Sequence, residues 1–223
     1  MGKNSRAKAQ ARAARERGDI SVRPAKDRDS DAYNSLMPLA IPTNEFHELS
    51  RTMAEEAEYK RLGAGTMMHL VAERRGEVIG VLFASPPWTW IASHPALPDV
   101  KSKREIAKLI ARINGLAVAP SERSKGAGGA LLRSAEIAYR NAGYRIILVN
   151  HDADLAAYYE RMGYVYGGHG KPVIFPTGAG LVVQSVDAGL DFSWKALKPE
   201  ITMSHVAGIG SVLNQVVPGF SVP

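Results

Sequence analysis

Residues 114–164 constrain this chain more than any other stretch. An apolar run ends at Val118, and the turn Arg123-Ser124-Lys125-Gly126-Ala127-Gly128-Gly129 follows it. A helical pattern starts near Ala130, with Leu131, Leu132, Ala135, Ala138, Tyr139 and Ala142 on one face and Gly143 in the C′ place. Residues 146–149 are then continuously apolar, as suits a strand buried on both faces. Strand, helix, strand within one sheet implies a right-handed parallel crossover. Asp152 or Asp154 can open a second helix, in which Leu155, Tyr158, Tyr159 and Met162 recur at i, i+3, i+4 and i+7 before Gly163.

Gly126, Gly128 and Gly129 remove side chains where a strand hands over to a helix, so successive backbone N–H groups can converge on an anion. The helix start adds partial positive charge, and Arg123 and Lys125 add full charges on the approach. A diphosphate is the natural ligand; the plain alternative is an ordinary flexible connection. Two familiar phosphate loops are rejected. A Walker A loop places its lysine after the glycines, whereas Lys125 precedes them. A dinucleotide fingerprint wants an acidic residue at the end of the second strand, and the chain has Val149-Asn150 there. Hydride transfer is therefore disfavoured.

The remainder reads as additions to this unit. Residues 20–24 alternate and end at Pro24, as a short strand does. Asp29, Ser30 and Asp31 can cap a helix carrying Tyr33, Leu36 and Met37, and Asn44 can open a longer one through Phe46, Leu49, Met53, Ala57 and Leu62. Residues 67–73 and 77–85 around Arg74-Arg75-Gly76 read as a β-hairpin. Pro86-Pro87 predicts an irregular loop bearing Trp88, Trp90 and His94, which lines a pocket or covers the sheet edge. A basic helical stretch falls at 101–112, a strand at 113–118, and later strands at 164–167, 181–186 and 192–197. The segment 167–180 reads as a loop, and residues 199–223 show no strong period. The expected organisation is a basic tail at 1–18, disordered or marginally helical, a domain at 19–198, and a C-terminal extension at 199–223.

Charge separates the tail from the domain. Of the formal +6, the first 18 residues hold +5, from Lys3, Arg6, Lys8, Arg12, Arg15 and Arg17 against Glu16. The other 205 residues balance 22 basic against 21 acidic side chains. The tail is thus either a solubilising segment, a weak polyanion-binding arm or, less in keeping with its make-up, a transit sequence. The absence of cysteine excludes disulfides, thiol nucleophiles and thiolate metal sites. No window of about 18 apolar residues is present and no secretory h-region precedes the domain, so the expectation is a cytoplasmic protein without membrane contact.

The run Leu116-Ala117-Val118-Ala119-Pro120-Ser121-Glu122-Arg123-Ser124-Lys125-Gly126-Ala127-Gly128-Gly129-Ala130-Leu131-Leu132 resembles the acetyl-CoA signature of the GNAT N-acetyltransferase superfamily, Arg/Gln-x-x-Gly-x-Gly/Ala. Arg123, Gly126 and Gly128 match it position for position, and Tyr159-Glu160-Arg161-Met162-Gly163-Tyr164 is similar to the family's second motif. The resemblance implies an α/β fold, a mixed and mostly antiparallel sheet of about seven strands with a central parallel pair and flanking helices. It implies acetyl-CoA as co-substrate, no metal, and transfer to a primary amine. By the same resemblance Leu116, Ala117 and Val118 offer backbone bonds to pantetheine, with the Val118 N–H an oxyanion donor. Arg123, Ser124, Lys125, Gly126, Ala127, Gly128 and Gly129 hold the pyrophosphate, and Tyr159 protonates the departing thiolate.

The general base has no such assignment. Many family members carry a glutamate on the strand before the loop, where this chain has Ile113, Asn114 and Gly115. Glu73, Glu77, His69, His94 and His151 are candidates, a water chain is another, and Asn114 can orient a water or polarise the thioester carbonyl. A different class of function also fits, a CoA-binding GNAT-like regulatory domain without turnover, carried to a polyanion by its tail. Acceptor identity and oligomeric state are not encoded in any motif.

Overall fold

The structure, a computed structural model, describes residues 20–41, 48–95, 97, 99–171, 173–177, 180–184, 189–206 and 210–213. The expected tail at 1–18, with Asn44 and Phe46 of the second helix, lies outside the described residues. In chain order the elements are β1 (Ile20–Pro24), α1 (Ser30–Leu36), α2 (Leu49–Leu62), β2 (Met68–Arg74) and β3 (Glu77–Ser85). Next come α3 (Trp88–Ser93), α4 (Val100–Ala107), β4 (Ile110–Val118), α5 (Ala127–Asn141), β5 (Ile146–His151) and α6 (Ala156–Arg161). The last are β6 (Val165–His169), β7 (Val173–Thr177), β8 (Gly180–Gln184), β9 (Asp191–Ala196), β10 (Met203–Val206) and β11 (Gly210–Leu213).

Seven strands form one mixed sheet in the order β1-β2-β3-β4-β5-β9-β6, and four form a second in the order β10-β11-β7-β8. In the large sheet β4 and β5 are the parallel pair, and the rest is antiparallel. The α/β fold with a central parallel pair is therefore as expected. Contacts divide the described residues into two compact units: those of Met1–Glu55, Met68–Phe83 and Gly115–Ala135, and those of Glu56–Met67, Ala84–Asn114 and Glu136–Pro223.

In the first unit the core is Tyr33, Leu36, Met37, Leu49, Val71, Val81 and Ala117. Helix α1 buries Tyr33 and Leu36 as the periodicity predicts, and Met37 just after it is buried too; of the set expected on α2, Leu49 is buried, Met53 and Leu62 are half-buried, and Ala57 is exposed. Gly115 permits one close approach there: a Cβ at this position would fall 2.7 Å from Met37 Sδ and 2.8 Å from the Ile41 side chain. A part-buried ion pair ties β1 to the turn before α1. Arg23 donates to both carboxylate oxygens of Asp29, at 2.6 and 2.8 Å, and to Glu73 at 2.5 Å.

In the second unit the core gathers Ile91, Leu97, Ile106, Ile110, Ile146, Leu148, Phe192 and Trp194. The connection 64–67 is pinned by two tyrosines: Tyr139 donates to Thr66 O at 3.0 Å, and Thr66 N donates to the Tyr144 hydroxyl at 2.7 Å.

Three local readings are corrected. Residues 88–93 form helix α3 rather than an irregular loop, because Ile91 N bonds Pro87 O and a proline before the first turn gives up no needed donor. The segment 167–180 is not a loop but contains the end of β6, all of β7 and the first residue of β8. Pro176 is tolerated in β7 because the described pairing of β7 to β11 covers only Val173 and Ile174, leaving Pro176 opposite Leu181 of β8 alone. Residues 203–206 and 210–213, without strong period in sequence, form a hairpin whose second strand runs parallel to β7.

Candidate active site

The glycine turn lies in the first unit. Strand β4 ends at Val118, and a short 3-10 turn at Pro120–Glu122 leads into it. Ser124 and Gly126 take positive φ values of 61° and 98°, so the chain reverses sharply before the helix. Helix α5 begins at Ala127, three residues earlier than the apolar pattern alone indicates, and Ala130 N makes the first intrahelical bond, 3.0 Å to Gly126 O. The N–H groups of Ala127, Gly128 and Gly129 thus precede the helical ladder and have no acceptor within it. With no side chain at Gly128 or Gly129, an anion can reach those donors and the positive end of the helix dipole.

The charges around this turn are unequal. Arg123 is exposed, its Nε donating to Val118 O at 3.3 Å. Lys125 is engaged with Glu122 at 3.2 Å, and Glu122 also takes the Arg74 guanidinium. Arg123 is therefore the more available cation. Leu116 and Val118 are half-buried and alternate with the buried Ala117, while Ala119 N bonds Ile79 O of β3.

Tyr159 and Asn114 lie in the second unit. The parallel ladder pairs residues 110–113 with 146–149 and stops there, while β5 continues to His151. His151 is buried; its Nδ1 lies 2.8 Å from Asp152 O and its Nε2 2.8 Å from Ser193 Oγ. A carbonyl only accepts, so Nδ1 carries the proton, and in the neutral ring Nε2 accepts from Ser193. The ring of Tyr159 stacks on this imidazole at 4.9 Å and meets Tyr158 and Tyr164 edge-on. Burial, reinforced by Tyr158, pushes the Tyr159 phenol well above its ordinary value, which keeps it protonated at neutral pH.

Asn114 bridges two side chains. Arg112 Nε donates to its Oδ1 at 2.8 Å, and its Nδ2 donates to Ser85 Oγ at 2.8 Å. Arg112 and Ser85 in turn border a cavity of about 290 Å³ walled by Trp88, Trp90 and Tyr59. Trp88 and Trp90, which line this cavity, also pack against the core of the unit.

The other base candidates are engaged elsewhere or exposed. Glu73 is bonded to Arg23, His69 lies against Tyr33 and stacked on Phe83, His94 meets Trp90 edge-on, and Glu77 is exposed at the start of β3. One pair escaped sequence reasoning: His169, exposed, and Asp191, buried, are joined Nδ1 to Oδ1 at 2.6 Å. They stand directly opposite each other across β6 and β9, and Asp191 stands opposite His151 across β9 and β5. No linear spacing signals them; only strand register does.

Among the described residues no helix is long and apolar enough to cross a membrane. The sequence model of the acetyltransferase (GNAT) family matches residues 33–164. The uncharacterized N-acetyltransferase YhfO of Bacillus subtilis (strain 168) is 31% identical over 150 residues, 65% of this chain and 89% of its own length. An N-acetyltransferase structure from Staphylococcus aureus Mu50 aligns with a TM-score of 0.51 at 19% identity, over 80% of this chain and 99% of its own. That of yncA from Salmonella typhimurium, solved with its cofactor acetyl-CoA, aligns at 0.52 and 18%, over 81% and 95%. The family match covers more than half of the chain, so the chain belongs to the GNAT family of acetyltransferases and is an acyltransferase.

Proposed function

We propose that this protein transfers the acetyl group of acetyl-CoA directly to a primary amine on a small molecule or a protein. One observation carries the donor half of this reading: the turn from Arg123 into α5 leaves the N–H groups of Ala127, Gly128 and Gly129 ahead of the first intrahelical bond. Together with exposed Arg123 they suit a diphosphate, with Ser124, Lys125 and Gly126 shaping the turn. Acetyl-CoA is the donor, and when bound it supplies a thioester whose acyl carbon is open to attack. The backbone of Leu116, Ala117 and Val118 offers hydrogen bonds along pantetheine, and the Val118 N–H stabilises developing oxyanion charge.

Tyr159 holds the proton for the leaving sulfur, and its raised affinity for that proton keeps the donor form populated. Asn114 contributes by fixing Arg112 and Ser85, which wall the tryptophan cavity, rather than by its own proton transfer. The tail at 1–18 acts as a weak polyanion-binding arm through its net +5.

The test is an amine panel. The full chain is incubated with acetyl-CoA and metabolite amines, antibiotic amines, peptide N-termini and lysine peptides, while free thiol is monitored and CoA binding is measured by calorimetry. The expected result is thiol release with at least one amine class. Tight CoA binding without release for any amine would favour a binding module over an enzyme.

A further inference from the structure

An amine acceptor is an ammonium ion at neutral pH and has to lose a proton before its nitrogen can attack. No carboxylate stands on β4 ahead of the glycine turn, where residues 112–115 are Arg, Ile, Asn and Gly, neutral or cationic throughout. Of the histidines considered above, His151 is sealed in with both ring nitrogens bonded, so it has no lone pair to offer a substrate.

We infer that His169, oriented by Asp191, is the general base of the reaction. The inference rests on the acetyl-transfer reading above and specifies its missing group. Asp191 is a carboxylate with its side chain only 6% exposed, and it can only accept, so the proton of the neutral His169 ring sits on Nδ1. Nε2 therefore carries the lone pair, on a side chain that is 59% exposed. A buried orienting acid behind an accessible imidazole is the arrangement that proton abstraction needs.

The location agrees. His169 is the last residue of β6, Asp191 the first of β9, and His151 the last of β5, and these three stand in register across adjacent strands. Two strand spacings separate His151 from His169, roughly 10 Å. This is the carboxyl end of β5, two residues past the point where its parallel ladder with β4 stops, and such ends are where ligands of parallel strand pairs bind. Tyr159 stacks on the same His151.

In the step itself Nε2 of His169 takes one proton from the ammonium, directly or across one water. The freed nitrogen pair forms the C–N bond; as the C–S bond breaks its electron pair leaves with sulfur, which takes the Tyr159 proton, the nitrogen gives up its second proton through solvent to restore the Tyr159 phenol, and the imidazolium returns its proton to solvent. The ionisable groups around His169 are few. Asp191 faces it from β9, and burial together with that same carboxylate raises the Tyr166 phenol on β6. His151 lies beyond Asp191 on β5, and the Lys171 stem lies against Gly168. Helix α6, packed on β6, carries Tyr158, Tyr159, Glu160 and Arg161, and β11 carries none.

The experiment has a ligand-free arm and a kinetic arm, both on the full chain. In long-range proton–nitrogen correlation spectra of the histidine-labelled protein, the neutral His169 ring should carry its proton on Nδ1, and in Asp191→Ala it should revert to the commoner Nε2–H form. A wild-type His169 protonated on Nε2 overturns the inference. In kinetics, His169→Gln should lower kcat/KM about 100-fold at neutral pH, with CoA affinity within about twofold and a rate that rises steadily with pH. Free imidazole should restore activity to His169→Ala. Unchanged kcat/KM and pH profile in His169→Gln overturn the base alone, whereas no turnover by wild type with any amine overturns the acetyl-transfer reading as well.

Discussion

The imidazole of His151 lies nearly face to face with the ring of Tyr159, centroids 4.9 Å apart and planes 27° from parallel. Because His151 is itself fixed by Asp152 O and Ser193 Oγ, the phenol has a rigid backing on the short helix α6. Tyr159→Phe keeps this stack and removes only the hydroxyl. We expect kcat to fall about 100-fold, with CoA affinity and melting temperature nearly unchanged. Steady-state kinetics beside calorimetry check this, and an unaltered kcat takes Tyr159 out of the chemistry.

Gly126 sits at φ 98°, where an L side chain is strained by about 1–3 kcal/mol. Gly126→Ala should turn the leading N–H groups of α5 away from a bound diphosphate. The expected outcome is a CoA affinity weakened at least about tenfold, equivalent to about 1.4 kcal/mol, with secondary structure retained by circular dichroism. Wild-type affinity would place the diphosphate elsewhere.

Gly115 faces Met37 Sδ at 2.7 Å from its would-be Cβ. Gly115→Ala forces the turn at Met37–Leu39 off β4, an overpacking that costs about 1–3 kcal/mol. Urea unfolding should show a lower midpoint with an unchanged slope.

The hydrogen bonds from Arg23 hold the Asp29 carboxyl below its ordinary value of 3.8, with burial acting in the opposite direction. A carboxylate with a depressed folded pKa adds stability that is present above its ordinary value and lost as pH falls through that value toward the folded one. Wild type should therefore lose stability as pH drops below about 4. Asp29→Asn should be about 2 kcal/mol less stable at pH 7 and should show a flatter acid limb. Equal stability of the two proteins at pH 7 would contradict the assignment.

Local chemistry made the glycine turn and the Tyr159 helix legible in the sequence, because each is specified within about a dozen residues. The sequence pattern points to a start of α5 near Ala130 rather than Ala127 because Gly128 and Gly129, poor helix formers, lie inside its first turn. Helix α3 was hidden behind Pro86-Pro87 and two tryptophans, residues whose propensities point away from helix while their position at its start does not. Strand β11 pairs with β7 some forty residues earlier, and β7–β8 and β10–β11 are hairpins joined through that pairing, which glycine and proline content cannot report. The His169 and Asp191 pair was out of reach for the same reason. Asn114 reads in sequence as a group facing chemistry, whereas in the fold its amide is committed to Arg112 and Ser85.

The central claim is that an acetyl group passes from acetyl-CoA to an amine. The most direct measurement is quantitative mass spectrometry of a reaction with the best amine of the panel, comparing acetylated amine with released thiol. The account predicts one acetylated amine for each thiol. Thiol released with free acetate and no acetylated amine would contradict it.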